Sequence, residues 1–342
     1  MGRGFPRRLV PGRDVAAALC ALVLMLVLGS VFNADGVFFD LATHADTWSQ
    51  NAAMGILACG LTVVIITGGI DLSVGSVVAL CAVGFSLMVM KHDPPLRGWV
   101  AIPAALGIGT MCGAVAGALV AWARVQPFVA TLAVMAAARG LAKWVADGVK
   151  IQKFPYPELI ERLNTKIPIA WGLRDALDPA SGVVPTTAVS VHVVVFLIVA
   201  AVTILLLRTH TIGVKVYAIG DNEQAARYAG VPVRRVKLLA YMFAGLCSGI
   251  AGVLFCALER QGNPDGGVGY ELTAIAMVVI GGTSLSGGRG GVVLTMLGVL
   301  TIGYLRKILD LNSVGTAQQL MITGGIIVVA VLVQGLRRGG RP

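Results

Sequence analysis

The residues able to carry chemistry are few, and each stands alone. Asp71 interrupts "GGIDLSVGS" (residues 68–76), between one apolar run and the next, "VVALCAVGFSLMVM". An ionisable group at membrane depth is costly and usually functional. A carboxylate just before a helix also has a structural use, because it accepts hydrogen bonds from free amides and meets the positive end of the helix dipole. The two roles are compatible: a broken helix exposes backbone groups to a cavity, and a cap holds the break in place. Gly68 and Gly69 then supply the permissive dihedrals. His44, His92, His192 and His210 are scattered, with no pair at metal-ligand spacing. Cys20, Cys59, Cys81, Cys112, Cys247 and Cys256 all lie inside apolar runs. They suggest neither a disulfide framework nor a zinc site and read as small packing residues. The sequence contains no Gly-x-x-x-x-Gly-Lys-[Ser/Thr] loop, GxSxG elbow or HExxH helix. A membrane-embedded enzyme should show clustered nucleophiles or metal ligands, and none are visible.

The elements that must position these residues are membrane helices. The 342 residues are 56% hydrophobic and only 13% charged, whereas ordinary soluble domains carry about 25% charged residues; the mean hydropathy is +0.83. Apolar runs of bilayer-spanning length predict ten crossings: 15–33, 51–67, 74–90, 99–122, 127–146, 188–207, 237–258, 271–282, 292–309 and 318–335. The second and eighth are marginal, because glycines interrupt them. Arg3, Arg7, Arg8 and Arg13 precede the first run in the manner of a signal peptide, yet no clean small-x-small cleavage site follows, so the first helix is expected to be retained.

Orientation follows from the basic residues. With the N-terminus in the cytoplasm, the inner segments are 1–14, 68–73, 123–126, 208–236, 283–291 and 336–342. With Lys237 at their border they hold fifteen of the 27 basic residues and four acids, Asp14, Asp71, Asp221 and Glu223. The inner face is thus +11 and the outer face −1, which together give the formal +10. The overall charge is a membrane-orientation signal; nucleic-acid binding has no basic aromatic patch behind it.

Two soluble segments stand out. The outer loop 147–187 is long, proline-rich and mixed in charge. The inner loop 208–236, "RTHTIGVKVYAIGDNEQAARYAGVPVRRV", holds a short helix that Asp221 or Asn222 can cap, "EQAARYA" propagates, and Gly230 with Pro232 ends. Such a helix is either a docking element or a solvated connector. Gly109, Gly113 and Gly117 share one helix face, as do Gly245 and Gly249, and both stripes read as close helix packing. "GGIDLSVG" at 68 and "GGTSLSGG" at 281 share five of eight positions, and they place a second break at Gly281 and Gly282. Arg139 and Lys143, one turn apart near an outer helix end, read as snorkelling side chains.

"TGGIDLSVGS", "QPFVATL", "YAIGDNEQAARYAGVPVRRVKLLAYMFAGLCSGIAGVL" and "GYELTAIAMVVIGGTSLSGGRGG" resemble the ribose/xylose/galactose-type permease subunits of bacterial ABC importers, from about residue 50 to the C-terminus. The resemblance implies an all-α polytopic permease of about ten helices with the vitamin B12-importer-like (type II) fold, forming a single domain over 1–342. It would sit in the bacterial inner membrane with both termini cytoplasmic. It implies a second permease copy or paralogue, a cytoplasmic ATP-binding subunit that carries ATP and magnesium, and a periplasmic sugar-binding protein. No cofactor or metal is expected on this chain. The family's ATPase-coupling pattern matches Gly220, Glu223, Ala226 and Gly230, with Asp221 and Arg227 in the same segment. The family often has Ser-Gly-Ile where this chain has "AGV" (229–231), and the outer loop looks long. Pathway residues expected near the broken helices are Asn51, Thr62, Asp71, Ser73, Glu271 and Thr273. The rival reading is a stand-alone secondary transporter or facilitator for a small polar solute, which should show buried acid or histidine relays. Only Asp71 and Glu271 are available for one.

Overall fold

Apolar runs become helices in a bilayer because the backbone has no hydrogen-bond partner there except itself. The computed structural model describes residues 12–90, 98–152, 157–168, 188–315, 317–326 and 328. Its elements are α1 (Gly12–Val31), α2 (Leu41–Ile66), α3 (Val74–Met90), α4 (Gly98–Ala121), α5 (Pro127–Val145), α6 (Pro157–Leu163), β1 (Lys166–Pro168), β2 (Ala188–Ser190), α7 (Val191–Arg208), α8 (Thr211–Asp221), α9 (Glu223–Tyr228), α10 (Val233–Glu259), α11 (Tyr270–Ile280) and α12 (Val292–Leu311). Six of the described helices, α2, α4, α5, α7, α10 and α12, are long and apolar enough to cross a bilayer; α1, α3 and α11 are shorter apolar helices. Residues 317–326 are helical, and most of the rest of the expected tenth crossing lies outside the described residues.

Two expectations about the spans need correction. The second crossing is not marginal: α2 is continuous and starts ten residues early, at Leu41. Its polar first turns are satisfied internally, with Thr47 Oγ1 donating to the Thr43 carbonyl and His44 Nδ1 within 3.1 Å of the Tyr304 hydroxyl. The eighth is a half-span. The eleven residues of α11 rise only about 16 Å, roughly half of a bilayer core. Its N-terminus is reached by a segment, 260–269, in which Gly262, Pro264, Gly266 and Gly267 are buried.

The interior is built on α10, which lies against α2, α3 and α4. The two glycine stripes face each other, as their spacing predicts. A Cβ on Gly109 would overlap the Gly245 carbonyl oxygen, one on Gly245 would overlap that of Gly109, and one on Gly249 would press on the Leu106 backbone at 2.8 Å. The backbones of α4 and α10 therefore touch, the contact that small residues permit in membranes. The outer helices present apolar side chains outward: Val23, Leu24 and Val27 on α1, Met111 on α4, Ile198 and Leu205 on α7 are all exposed. Helix α1 packs on α12, close to the cluster of Phe38, Tyr304 and Ile308.

The loop segments sort to the two ends as the charge reading requires. Ile66, Gly220 and Gly288 meet at one end, and the 122–126 turn meets Glu223, Arg234 and Lys237 there. At the opposite end α6 and the antiparallel pair β1–β2, with Lys166 opposite Ser190, cover part of the bundle. Residues 169–187 of the long outer loop lie outside the described residues.

The α4–α10 seam gives a direct test. Gly245→Val should lower stability by about 1–3 kcal/mol or prevent folding. Gly107→Ala, at a position with no atom within 4 Å of an added Cβ, should leave the thermal midpoint in detergent unchanged.

Candidate functional site

Two interruptions of the helical pattern converge inside the bundle. After Ile66 the chain leaves the helix through Gly68 (φ +78°) and runs without regular secondary structure to Ser73. Gly69 does not have a positive φ; its use is close approach, since a Cβ there would come within 2.6 Å of the Tyr241 hydroxyl. Tyr241, fully buried on α10, donates to the Ile70 carbonyl at 3.3 Å. Asp71 is 1% exposed. Its Oδ1 accepts from the Ser73 amide at 2.9 Å and from the Ser73 hydroxyl at 2.6 Å. Ser73 is the residue before α3, and its carbonyl accepts from Val77 N. The carboxylate thus shapes the approach to α3 and does not reach the amides of the first helical turn.

The second interruption is the start of α11. Gly269 (φ +79°) precedes it. Glu271 Oε1 accepts from the Gly269 amide at 3.3 Å, and Thr273 Oγ1 donates to the Gly269 carbonyl at 3.0 Å. Arg306 on α12 donates to Thr273 Oγ1 at 2.9 Å. The N-terminal ends of α3 and α11 touch: a Cβ on Gly75, in the first turn of α3, would overlap Glu271 Oε2 and the Gly267 carbonyl. So the structure brings Ser73, Glu271 and Thr273 to one region where α3 and α11 both begin, with Asp71 two residues before Ser73. It places Asn51 elsewhere on α2, beside Gly303 of α12, with its amide on the Thr47 carbonyl. Thr62 is fully buried and 2.6 Å from Thr295, a polar tie between α2 and α12.

The segment leading into α11 is held from outside. Arg139 donates from Nη1 to the carbonyls of Pro264 (2.6 Å) and Gly266 (2.7 Å), and Lys143 meets Asp265 at 2.7 Å. This corrects the snorkelling reading: Arg139 clamps buried irregular backbone whose carbonyls have no helix to bond, and Lys143 adds a half-exposed ion pair to the Asp265 side chain of the same segment.

At the basic end the inner loop forms two helices. His210 caps α8, with Nδ1 accepting from Ile212 N. Asn222, not Asp221, caps α9, its Oδ1 accepting from Ala225 N at 2.9 Å. Gly230 (φ +79°) ends α9, where Val231 N returns to the Ala226 carbonyl. Ala226 is the buried residue of α9. Glu223 receives Arg227 at 3.0 Å and Lys237 at 2.6 Å. The hydrogen bond from Lys237, with Arg227 beside it, holds the Glu223 carboxyl below its ordinary 4.5. Gly220 faces inward, where a Cβ would overlap the Ile66 carbonyl oxygen and the Gly288 amide. Gly288 N donates to that same carbonyl at 2.9 Å. Gly281 and Gly282 repeat the division of labour at the first break: a Cβ on Gly281 would overlap the Leu294 carbonyl, while Gly282 has φ +106°. The two echoing segments meet here, since a Cβ on Gly287 would lie 2.9 Å from Gly68 N.

The model of the branched-chain amino acid transport system / permease component family matches residues 45–331. The chain belongs to that family. Its relatives include ribose import permease proteins of Haemophilus influenzae (35% identical, covering 91% of this chain and 90% of the relative) and Escherichia coli K12 (34%, 92% of each). A galactofuranose transporter permease protein of E. coli K12 is 33% identical, covering 93% of this chain and 89% of its own. No solved structure matches. As a family member the chain is a multi-pass membrane permease component.

Sequence reasoning missed three residues of these sites. Tyr228 is 91% exposed on the face of α9 turned away from Ala226, and a helical projection of "EQAARY" would have shown it. Arg306, with Lys307 beside it, is a cation inside the apolar run 292–309, itself a signal. Tyr241 had no local signal, because its partner Ile70 is 171 residues away.

Two outcomes are expected. Asp71→Ala should cost about 1–3 kcal/mol, because it leaves the buried Ser73 amide and hydroxyl without their acceptor, and Asp71→Asn should recover most of it in thermal unfolding. Equal losses would mean that the charge, not the acceptor, is what matters. Glu223→Gln should raise amide exchange across 223–230 about two- to fivefold at neutral pH. Because its folded pKa is depressed, the Glu223 contribution is complete above the unfolded value and is lost as pH falls through the folded one. Wild type should therefore loosen on acidification, after correction for intrinsic exchange, while Glu223→Gln changes no further.

Proposed function

We propose that this chain is the membrane-spanning subunit of an ATP-driven importer for a small sugar, a ribose-like pentose or a hexose. The ribose and galactofuranose permeases among its relatives support the cargo class. In this reading the membrane helices, α11 among them as a half-span, take the type II arrangement, the basic end is cytoplasmic with both termini, and a second permease copy or paralogue completes the channel. A periplasmic binding protein delivers the sugar to the opposite end. ATP and magnesium are held by a separate cytoplasmic subunit; this chain binds substrate and performs no covalent chemistry.

The observation that carries the coupling part is the seating of Gly220. The α8–α9 unit is the coupling element, with Gly220, Asp221, Glu223, Ala226, Arg227 and Gly230 in distinct roles. Gln224 and Tyr228 form the face offered to the ATPase; Tyr228 is the large, rigid anchor that interface centres favour. Glu223 ties the helix to α10 through Lys237, and Arg227, one turn on, holds Glu223 in place. Gly220 bears on Ile66 and Gly288, the last helical residue before the first break and the turn beyond the second. A displacement of α9 by the ATPase is thereby delivered to both breaks at once. Deeper in the bundle, Asp71, Ser73, Glu271 and Thr273, with Asn51 and Thr62 further along α2, line the route as alternating access opens it. Neutral hydroxyl and carboxylate acceptors suit a polyhydroxylated cargo, whose hydrogens they can receive.

The test is co-purification with the candidate ATPase subunit, followed by sugar uptake into proteoliposomes. Tyr228→Ala should lower ATPase capture about tenfold or more and abolish ATP-dependent uptake, with the thermal midpoint unchanged. Glu223→Arg is a poorer probe, since it would detach α9 from α10. Uptake that persists without ATP or ATPase would replace this reading with a stand-alone facilitator.

A further inference from the structure

A cleft of about 390 Å³ opens at the basic end between the α4–α5 turn and the coupling helix. Arg124, Arg227, Arg234, Lys237 and Glu223 line it, four cations against one carboxylate. That carboxylate is already engaged by Lys237 and Arg227. Among the described residues, Arg124 and Arg234 have no acidic partner within 4 Å, though each guanidinium presents a planar fork suited to phosphate. Helices α5 and α10 both begin at the cleft, at Pro127 and Val233, and neither has a side-chain cap. Their free amides and positive dipole ends add to the same field. Val120, Val125, Pro127 and Val233 add apolar lining. The half-exposed Trp122, Phe128 and Val129 lie within two residues of lining positions in sequence, at the facing ends of two membrane helices, the mixture of aromatic and apolar side chains found at headgroup level.

We propose that this cleft binds the phosphate headgroup of an anionic phospholipid, with Arg124 and Arg234 as its principal ligands. The chemistry recognised is a phosphate ester; the bordering apolar side chains make its source a lipid whose chains lie against α4 and α5. The two faces of α9 divide the work: Glu223 and Arg227 face the cleft, while Gln224 and Tyr228 face away from it. The bound headgroup would sit behind the coupling helix, between it and the α4–α5 turn. The site stands on the charge and location of the cleft and does not require the importer reading, although a role in coupling would.

The experiment uses the full chain without partners, in nanodiscs of phosphatidylcholine containing increasing phosphatidylglycerol, followed by native mass spectrometry of retained lipid. Wild type should retain phosphatidylglycerol in preference to phosphatidylcholine. Arg124→Gln with Arg234→Gln should reduce that retention on the order of tenfold or more, while Arg124→Lys with Arg234→Lys keeps most of it. Equal retention of the two lipids, or no effect of the double glutamine variant, overturns the proposal. Loss of bound phosphatidylglycerol on adding millimolar glycerol 3-phosphate would identify a soluble phosphate ester as the ligand and overturn the lipid source. If the double glutamine variant retains lipid normally but, in a separate co-purification, fails to capture the ATPase subunit, the cleft is a protein interface and the proposal fails. Size-exclusion profiles matching wild type show that the variants are folded.

Discussion

The carbonyl of Ile66 ends a 26-residue membrane helix, and what it bonds to decides how the rest of the basic end is arranged. In lipid a free carbonyl finds no water, so a helix can stop inside a bilayer only where protein takes over its hydrogen bonds. Here the Gly288 amide does so, and Gly220 presses on the same atom from the other side. Neither approach is open to a residue with a side chain. Backbone from three distant parts of the sequence is therefore in direct contact, without a flexible side chain between them to absorb a displacement. The irregular stretch beyond Ile66 inherits its position from this junction and from Tyr241, and α3 begins where it does because of both.

The same physical requirement explains the opposite side of the two breaks. In the partly buried segment 260–269 the carbonyls of Pro264 and Gly266 have no helix to bond, and Arg139 supplies a hydrogen bond to each from a neighbouring span. Arg306 gives a further donor to Thr273. A permease that must open a polar route through lipid needs irregular backbone near its centre. Each piece of that backbone here is matched by a long polar side chain or a glycine.

Much of this was legible in the sequence, and the limits follow a pattern. Hydropathy located α3, α5 and α12 to within a residue or two, and spacing alone identified the two glycine faces that form the α4–α10 seam. Asn222 and Gly230 punctuate α9 through local chemistry, so they could be read locally. The polar start of α2 was hidden because Thr43, Thr47 and His44 lower the hydropathy while the fold satisfies them. The clamp by Arg139 and Lys143 was misread because its partners are more than 120 residues away, and nothing on α5 announces them. Gly220 was read as part of a docking motif, yet its neighbours are Ile66 and Gly288, which only the folded chain brings near.

The seam between α4 and α10 has a mechanical meaning. Two helices whose backbones touch through reciprocal glycines cannot slide or rotate past one another without collision, so they behave as one stiff beam. One end of that beam carries α9 through the Glu223–Lys237 bond, and one turn further along α10 it holds the first break through Tyr241. A push at α9 would tilt the pair as a unit, and the compliant joints of the molecule must lie at the surfaces where this beam meets α2, α3 and α5.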